Sequence, residues 1–144
     1  MYLDSCVIVK LVSHEADSAV YHGLAAGQPI FTSELAVTEV RSALLAKERA
    51  GRISRANRIA SWRVFLEKVC DEEFSLLTLN RPVLERAGGL IEQCHPRVPL
   101  RSLDAIHVAT MELHGGEAML SSDQRVCQAC ELLGLPLVST TATP

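Results

Sequence analysis

Asp4, Glu39, Asp104 and Asp123 each interrupt apolar sequence at a point where an ionised side chain is out of place. Asp4 closes the opening triplet Met1-Tyr2-Leu3, and Asp123 follows Ala118-Met119-Leu120 after two serines. Glu39 and Asp104 lie in stretches that otherwise read as buried helix. Burying an unpaired carboxylate is costly, so four of them in such places suggest that the fold gathers them. Two carboxylates about 4 Å apart repel by roughly 4 kcal/mol even at an effective dielectric near 20, and a shared cleft therefore demands a counter-ion. An all-oxygen set without His or Cys suits Mg²⁺ or Mn²⁺, one ion or two, and not zinc. Such ions activate water and stabilise charge on a phosphoryl oxygen, so the chemistry on offer is phosphodiester hydrolysis.

Each acid also has a plainer assignment. Asp104 and Asp123 stand in first turns of helices, where a carboxylate favours the helix dipole. Asp4 can cap the helix that follows it, and Glu39 can pair with Arg41 or another base. The metal reading rests on the four together.

The elements that must position them alternate between strand and helix. Met1 to Leu3 reads as a strand and Cys6 to Leu11 as a helix; Asp17 to Ala26 is helical, ended by Gly27. Pro29 to Phe31 reads as a strand, and Thr32-Ser33 offers an N-cap for a helix reaching Ala50. Ser54 opens a helix to Cys70, Phe74 to Leu79 is a strand, and Pro82 to Gln93 is helical. Ser102 caps a helix ending near Gly115-Gly116, Ala118 to Ser121 is a strand, Asp123 to Leu133 a helix, and Leu137-Val138 a last strand. Alternation of this kind predicts an α/β fold with three layers, α/β/α, around a central, mostly parallel sheet of four to five strands. In such sheets sites form beyond the carboxyl ends of the strands, where Asp4 and Asp123 both fall. At helical spacing Glu39 shares the stripe of Leu35, Ala36 and Ala43.

With 144 residues, 48% of them apolar, the chain has room for one domain (1–144) with a substantial core, residues 139–144 being a frayed tail. The longest apolar run, Val7 to Val12, is broken by Lys10 and is too short to span a bilayer, and no export signal precedes it. A cytoplasmic protein with no membrane partner is expected. Five cysteines at irregular spacing (Cys6, Cys70, Cys94, Cys127 and Cys130) then read as reduced core thiols, the Cys127/Cys130 pair lacking a second pair to complete a zinc site. The net charge of −3 conceals an asymmetry: eight of the fourteen basic residues but only two of the seventeen acids fall between Arg41 and Lys68. That flank is a candidate surface for a polyanion or an acidic partner, or else a solvated helical face.

Around the four acids the chain resembles the PIN domains, and among them the toxins of bacterial and archaeal VapBC toxin–antitoxin pairs. Tyr2-Leu3-Asp4-Ser5-Cys6-Val7-Ile8-Val9-Lys10-Leu11 is similar to the family's first motif, and Ser33 to Ala43 to the helix carrying the second acid. Leu100-Arg101-Ser102-Leu103-Asp104-Ala105-Ile106-His107-Val108-Ala109-Thr110 is the closest match, and Leu120-Ser121-Ser122-Asp123 resembles the fourth motif. The resemblance implies a Mg²⁺-dependent endoribonuclease, dimeric, acting on RNA and held inactive by a cognate VapB-type antitoxin. Asp4, Glu39, Asp104 and Asp123 would be its catalytic and metal-binding residues. Ser5 and Ser121 would orient those carboxylates. Arg101, Arg41 and Lys10 would contact substrate phosphate. Cys6 departs from the small hydroxyl residue frequent at its position, which weakens the case for a hydrogen bond there. His107, one turn beyond Asp104, reads as a core histidine bonded to backbone in preference to a general base.

Other chemistries fit less well. An aspartyl-nucleophile phosphatase would want a second Asp two residues after the first, where Cys6 stands. A phospho-receiver domain would want paired acids beside the first strand. A housekeeping nuclease of RNA maturation would carry the same cleft, and a module that binds RNA or protein without cutting would show one of the four acids facing away from the others.

Overall fold

Two strands of only two residues each are enough to set the architecture. β1 (Tyr2–Leu3) and β4 (Met119–Leu120) pair in parallel, Tyr2 with Met119 and Leu3 with Leu120. On the other side β1 pairs with β2 (Ile30–Ser33), and β2 with β3 (Phe74–Leu77), again in parallel. The computed structural model describes residues 1–139. Beyond Ser139 the tail expected to fray lies outside the described residues.

Strand order is β3-β2-β1-β4. The chain steps outward from β1 to β3, then crosses back to add β4 on the far side of β1, so strand order reverses between β1 and β4. Successive side chains of a strand face opposite ways, and the core divides accordingly. Tyr2 and Met119 join one apolar cluster, Leu3 and Leu120 the other. The first cluster packs α5 (Arg81–Cys94), α6 (Ser102–Leu113) and α7 (Gln124–Leu133) on one face. The second packs α1 (Ser5–Val12), α2 (Ser18–Ala25), α3 (Ala36–Arg49) and α4 (Arg55–Cys70) on the other. This is the expected three-layer α/β/α arrangement.

Helix starts follow local chemistry. Asp4, Ser54, Asn80 and Asp123 accept backbone N–H groups of the first turns of α1, α4, α5 and α7. Gly134 ends α7 in the left-handed conformation at φ 68°, which a side chain would strain.

Four local expectations change. Thr32 and Ser33 are strand, because the Glu34 N–H donates to the Leu77 carbonyl at 2.9 Å and extends the ladder; α3 begins only at Ala36. Ser33 still accepts from the Leu35 N–H at 3.2 Å, but inside the turn between strand and helix. Ser102 is the first residue of α6 and Arg101 occupies the cap without a side-chain bond. Leu137 forms a single parallel bridge to Met119 where a fifth strand was expected. All five cysteines are unpaired; Cys94 and Cys130 are buried, but Cys70 is exposed at the end of α4 and is no core thiol.

Candidate metal centre

Asp4 leaves β1 at the reversal point and is 4% exposed. Its Oδ1 accepts from the Val7 N–H at 3.1 Å, capping α1, and from the Cys6 thiol at 2.8 Å. Its Oδ2 accepts from the Ser121 hydroxyl, which in turn accepts from the Asp123 N–H at 2.9 Å. A carboxylate offers about four lone-pair positions, so these donors hold Asp4 rigidly and leave room for one further ligand. Cys6 therefore keeps a hydrogen bond to the acid, contrary to the expectation for a thiol there. Burial and the Asp4 charge push that thiol up to about 12, so it stays a donor at neutral pH.

Glu39, on the first turn of α3, is half-buried and faces α1 and α6. Its Oε2 accepts from the Ser5 hydroxyl at 2.6 Å and lies 2.7 Å from His107 Nε2. An ionised carboxylate only accepts, so the network assigns the proton of a neutral His107 to Nε2 and leaves Nδ1 to accept from the Tyr2 hydroxyl at 2.9 Å. Burial drives the Tyr2 phenol well above its ordinary value, which keeps it a donor. Burial alone would raise Glu39 too, but the hydrogen bonds from His107 and the Ser5 hydroxyl outweigh it and hold the carboxyl below its ordinary value. His107 thus bonds side chains at both ring nitrogens, where a backbone partner was expected. Glu39 Oε1 carries no hydrogen bond among the described residues.

Asp104, in the first turn of α6, and Asp123, the N-cap of α7, approach from the opposite wall. Burial raises the Asp104 carboxyl, and the charge of Asp123 raises it further, against relief from Arg125 and Arg101. Arg125 stands between the two acids: its Nη2 donates to Asp123 Oδ2 at 2.7 Å, and its Nε is 3.6 Å from Asp104 Oδ2. That longer contact is an ion pair without a hydrogen bond, and both Asp104 Oδ2 and Arg125 Nε are buried with no hydrogen-bond partner.

All four acids line one cleft of about 100 Å³, together with Ser5, Cys6 and His107. Among the described residues, no three His, Cys, Asp or Glu side chains already stand close enough to share a metal ion. Ser121, His107 and Arg125 each hold one of the carboxylates. The donor chemistry nonetheless fits a hard cation: oxygens only, one of them buried and orphaned on Asp104, another unbonded on Glu39.

Residues 1–132 match the family model described as "PIN domain". The chain belongs to the PIN domain family. It is also 33% identical over 142 residues to "Ribonuclease VapC46" of Mycobacterium tuberculosis (strain ATCC 25618 / H37Rv), an alignment covering 96% of each chain.

The basic residues expected around this PIN domain's acids are placed unequally. Arg101 is exposed at the head of α6 and its charge reaches Asp104. Arg41 turns to α4, its guanidinium 4.9 Å from the centre of the Trp62 ring. Lys10 pairs with Glu15 at 2.8 Å and Asp17 at 2.7 Å, away from the four acids. It does line a wider groove of about 540 Å³ that runs from Glu39 along α1 and α3 to Lys47 and Arg52. In the basic segment Lys47, Arg58, Arg63 and Lys68 have carboxylate partners, whereas Arg49, Arg52 and Arg55, at the α3–α4 turn, have no ion pair among the described residues. No helix of the described residues is long and apolar enough to cross a membrane.

Two participants escaped the sequence reading. Arg125 was masked by its proximity to Asp123, which invites only a capping interpretation. Tyr2 was read only as part of the opening apolar strand; its hydroxyl, two residues before Asp4, was the available signal.

Proposed function

We propose that the chain is a single-domain, metal-dependent endoribonuclease, a VapC-like toxin that hydrolyses RNA phosphodiester bonds and is restrained by a cognate VapB-type antitoxin. The observation that carries the proposal is the lining of one cleft by all four acids, which favours a catalytic over a binding-only role. The similarity to a relative named as a ribonuclease supports the RNA substrate. In this reading Asp4, Glu39, Asp104 and Asp123 hold Mg²⁺ or Mn²⁺. A hard divalent ion bound among them supplies charge stabilisation at phosphoryl oxygen and a more acidic water.

The chain's own residues do the remainder. Ser121 fixes Asp4, while Ser5 and His107 fix Glu39, so that two carboxylates are oriented before any ion arrives. Arg101 beside Asp104, and Arg52 in the groove, attract the RNA backbone without reading its sequence, whereas Lys10 and Lys47 lend little because Glu15 and Asp17 already neutralise them. Arg41 takes a lesser part, its charge already stacked on Trp62. The protein would work in the cytoplasm as a homodimer.

The test is an RNA cleavage assay on the purified full chain with Mg²⁺, with EDTA, and with Asp104→Asn whose fold is confirmed by unfolding. Cleavage that requires the ion and Asp104 is expected. Equal cleavage by the parent and Asp104→Asn, or in excess EDTA, would reject the assignment.

A further inference from the structure

We propose that Arg125 is an internal counter-ion of the acid cleft, bridging Asp104 and Asp123 until a divalent cation displaces it. The inference rests on the metal-binding reading above and concerns what the cleft does before loading. Two carboxylates that repel across a partly dry cleft need a positive charge, and Arg125 is the guanidinium placed between them.

The bridge is incomplete in a way that suits displacement. Arg125 Nη2 makes a hydrogen bond of 2.7 Å to Asp123, yet its Nε stops 3.6 Å short of Asp104. Both atoms of that second contact, Asp104 Oδ2 and Arg125 Nε, are buried without a hydrogen bond. A buried unmade hydrogen bond is costly, so the resting arrangement leaves an oxygen seeking a better cation. Asp123 is held at both oxygens by the same residue, Oδ1 by the Arg125 N–H and Oδ2 by its guanidinium. An ion that recruits Asp123 Oδ2 or Asp104 Oδ2 must therefore take it from Arg125, and two positive groups would then compete for one oxygen. The Arg125 side chain is 30% exposed, which gives it a way out toward solvent while its backbone N–H keeps the α7 cap.

Guanidinium and metal are thus antagonistic ligands of one pair of acids. Removing one must tighten the other by the coupling between them, commonly about 5- to about 150-fold. The experiment is a Mn²⁺ titration of the full chain by calorimetry, with free ion followed by electron paramagnetic resonance. The parent, Arg125→Gln, Arg125→Lys and Asp104→Asn are compared. The inference expects Arg125→Gln to bind Mn²⁺ at least about 5-fold more tightly than the parent. Arg125→Lys, a point charge without the fork, should fall between them. Unchanged or weaker binding by Arg125→Gln overturns it. Binding of Mn²⁺ by the parent that Asp104→Asn does not weaken, or no binding at all, overturns the metal reading and this inference with it. Should Arg125→Gln fail to fold, the parent itself decides: on Mg²⁺ titration the Arg125 side-chain N–H resonance must shift, and a stationary resonance overturns the displacement.

Discussion

Tyr2→Phe and His107→Leu, made singly and together, probe the strut that holds Glu39. Tyr2 is fully buried and His107 is 3% exposed, so neither can exchange its partner for bulk water. Tyr2→Phe strips His107 Nδ1 of its 2.9 Å donor and leaves a buried nitrogen unsatisfied, at about 1–3 kcal/mol. His107→Leu orphans the Tyr2 hydroxyl and removes the 2.7 Å contact to the Glu39 carboxylate, a charge-assisted bond of about 1.5–3 kcal/mol. The hydroxyl keeps some support from Thr110 and the Ser33 backbone, so its own penalty sits at the low end, near 1 kcal/mol. In the double variant both halves of the Tyr2–His107 bond are gone and neither is orphaned. It should therefore be about 1–2 kcal/mol less destabilised than the two single costs added. Urea unfolding in EDTA, with a constant m-value across the four proteins, measures this directly. Additivity to within about 0.5 kcal/mol would show that the two rings are neighbours without coupling and refute the strut.

Ser121→Ala removes the hydroxyl that fixes Asp4 Oδ2 and should weaken Mn²⁺ binding by about 10- to 100-fold in calorimetry while the chain stays folded. Glu15 takes Lys47 at 2.9 Å and Lys10 at 2.8 Å; burial raises its carboxyl, but these two amines outweigh burial and hold it below the ordinary 4.5. Its stabilisation is thus full above that value and lost as pH falls through the lower, folded value. Glu15→Gln should cost about 1–3 kcal/mol at pH 7, and the gap to the parent should close in acid unfolding titrations. Phe65, fully buried between the Trp62 and Phe74 rings, should cost about 3–5 kcal/mol when replaced by Ala, read in thermal unfolding. Replacing Arg49, Arg52 and Arg55 by Gln should flatten the salt dependence of single-stranded RNA binding by about 0.7 in log–log slope for each phosphate no longer neutralised, measured with a catalytically silent Asp104→Asn chain.

The layers, the parallel sheet and the position of the acids were legible because local signals agreed with one another. Asp4 and Asp123 follow apolar strands and cap the next helices, and Ser54 and Gly134 mark helix ends by ordinary capping chemistry. Ser33 misled because a good capping residue also fits a strand end, and the hydrogen bond that decides between them comes from Leu77. The ties among Tyr2, Glu39 and His107 were invisible for a related reason. They join three elements far apart in sequence, and only the sheet's register brings the phenol to the imidazole. Arg125 shows a further limit, since its second partner, Asp104, belongs to a different helix.

The clasp between Ser121 and Asp4 spans 117 positions of the chain. A nascent polypeptide cannot close it until the ribosome has released the segment beyond β4. Until then Asp4 lacks one of its fixing donors, and Asp123 with its arginine is missing from the opposite wall. Synthesis order therefore completes the acid cleft last, and any shortened product ending before β4 should be inert toward RNA.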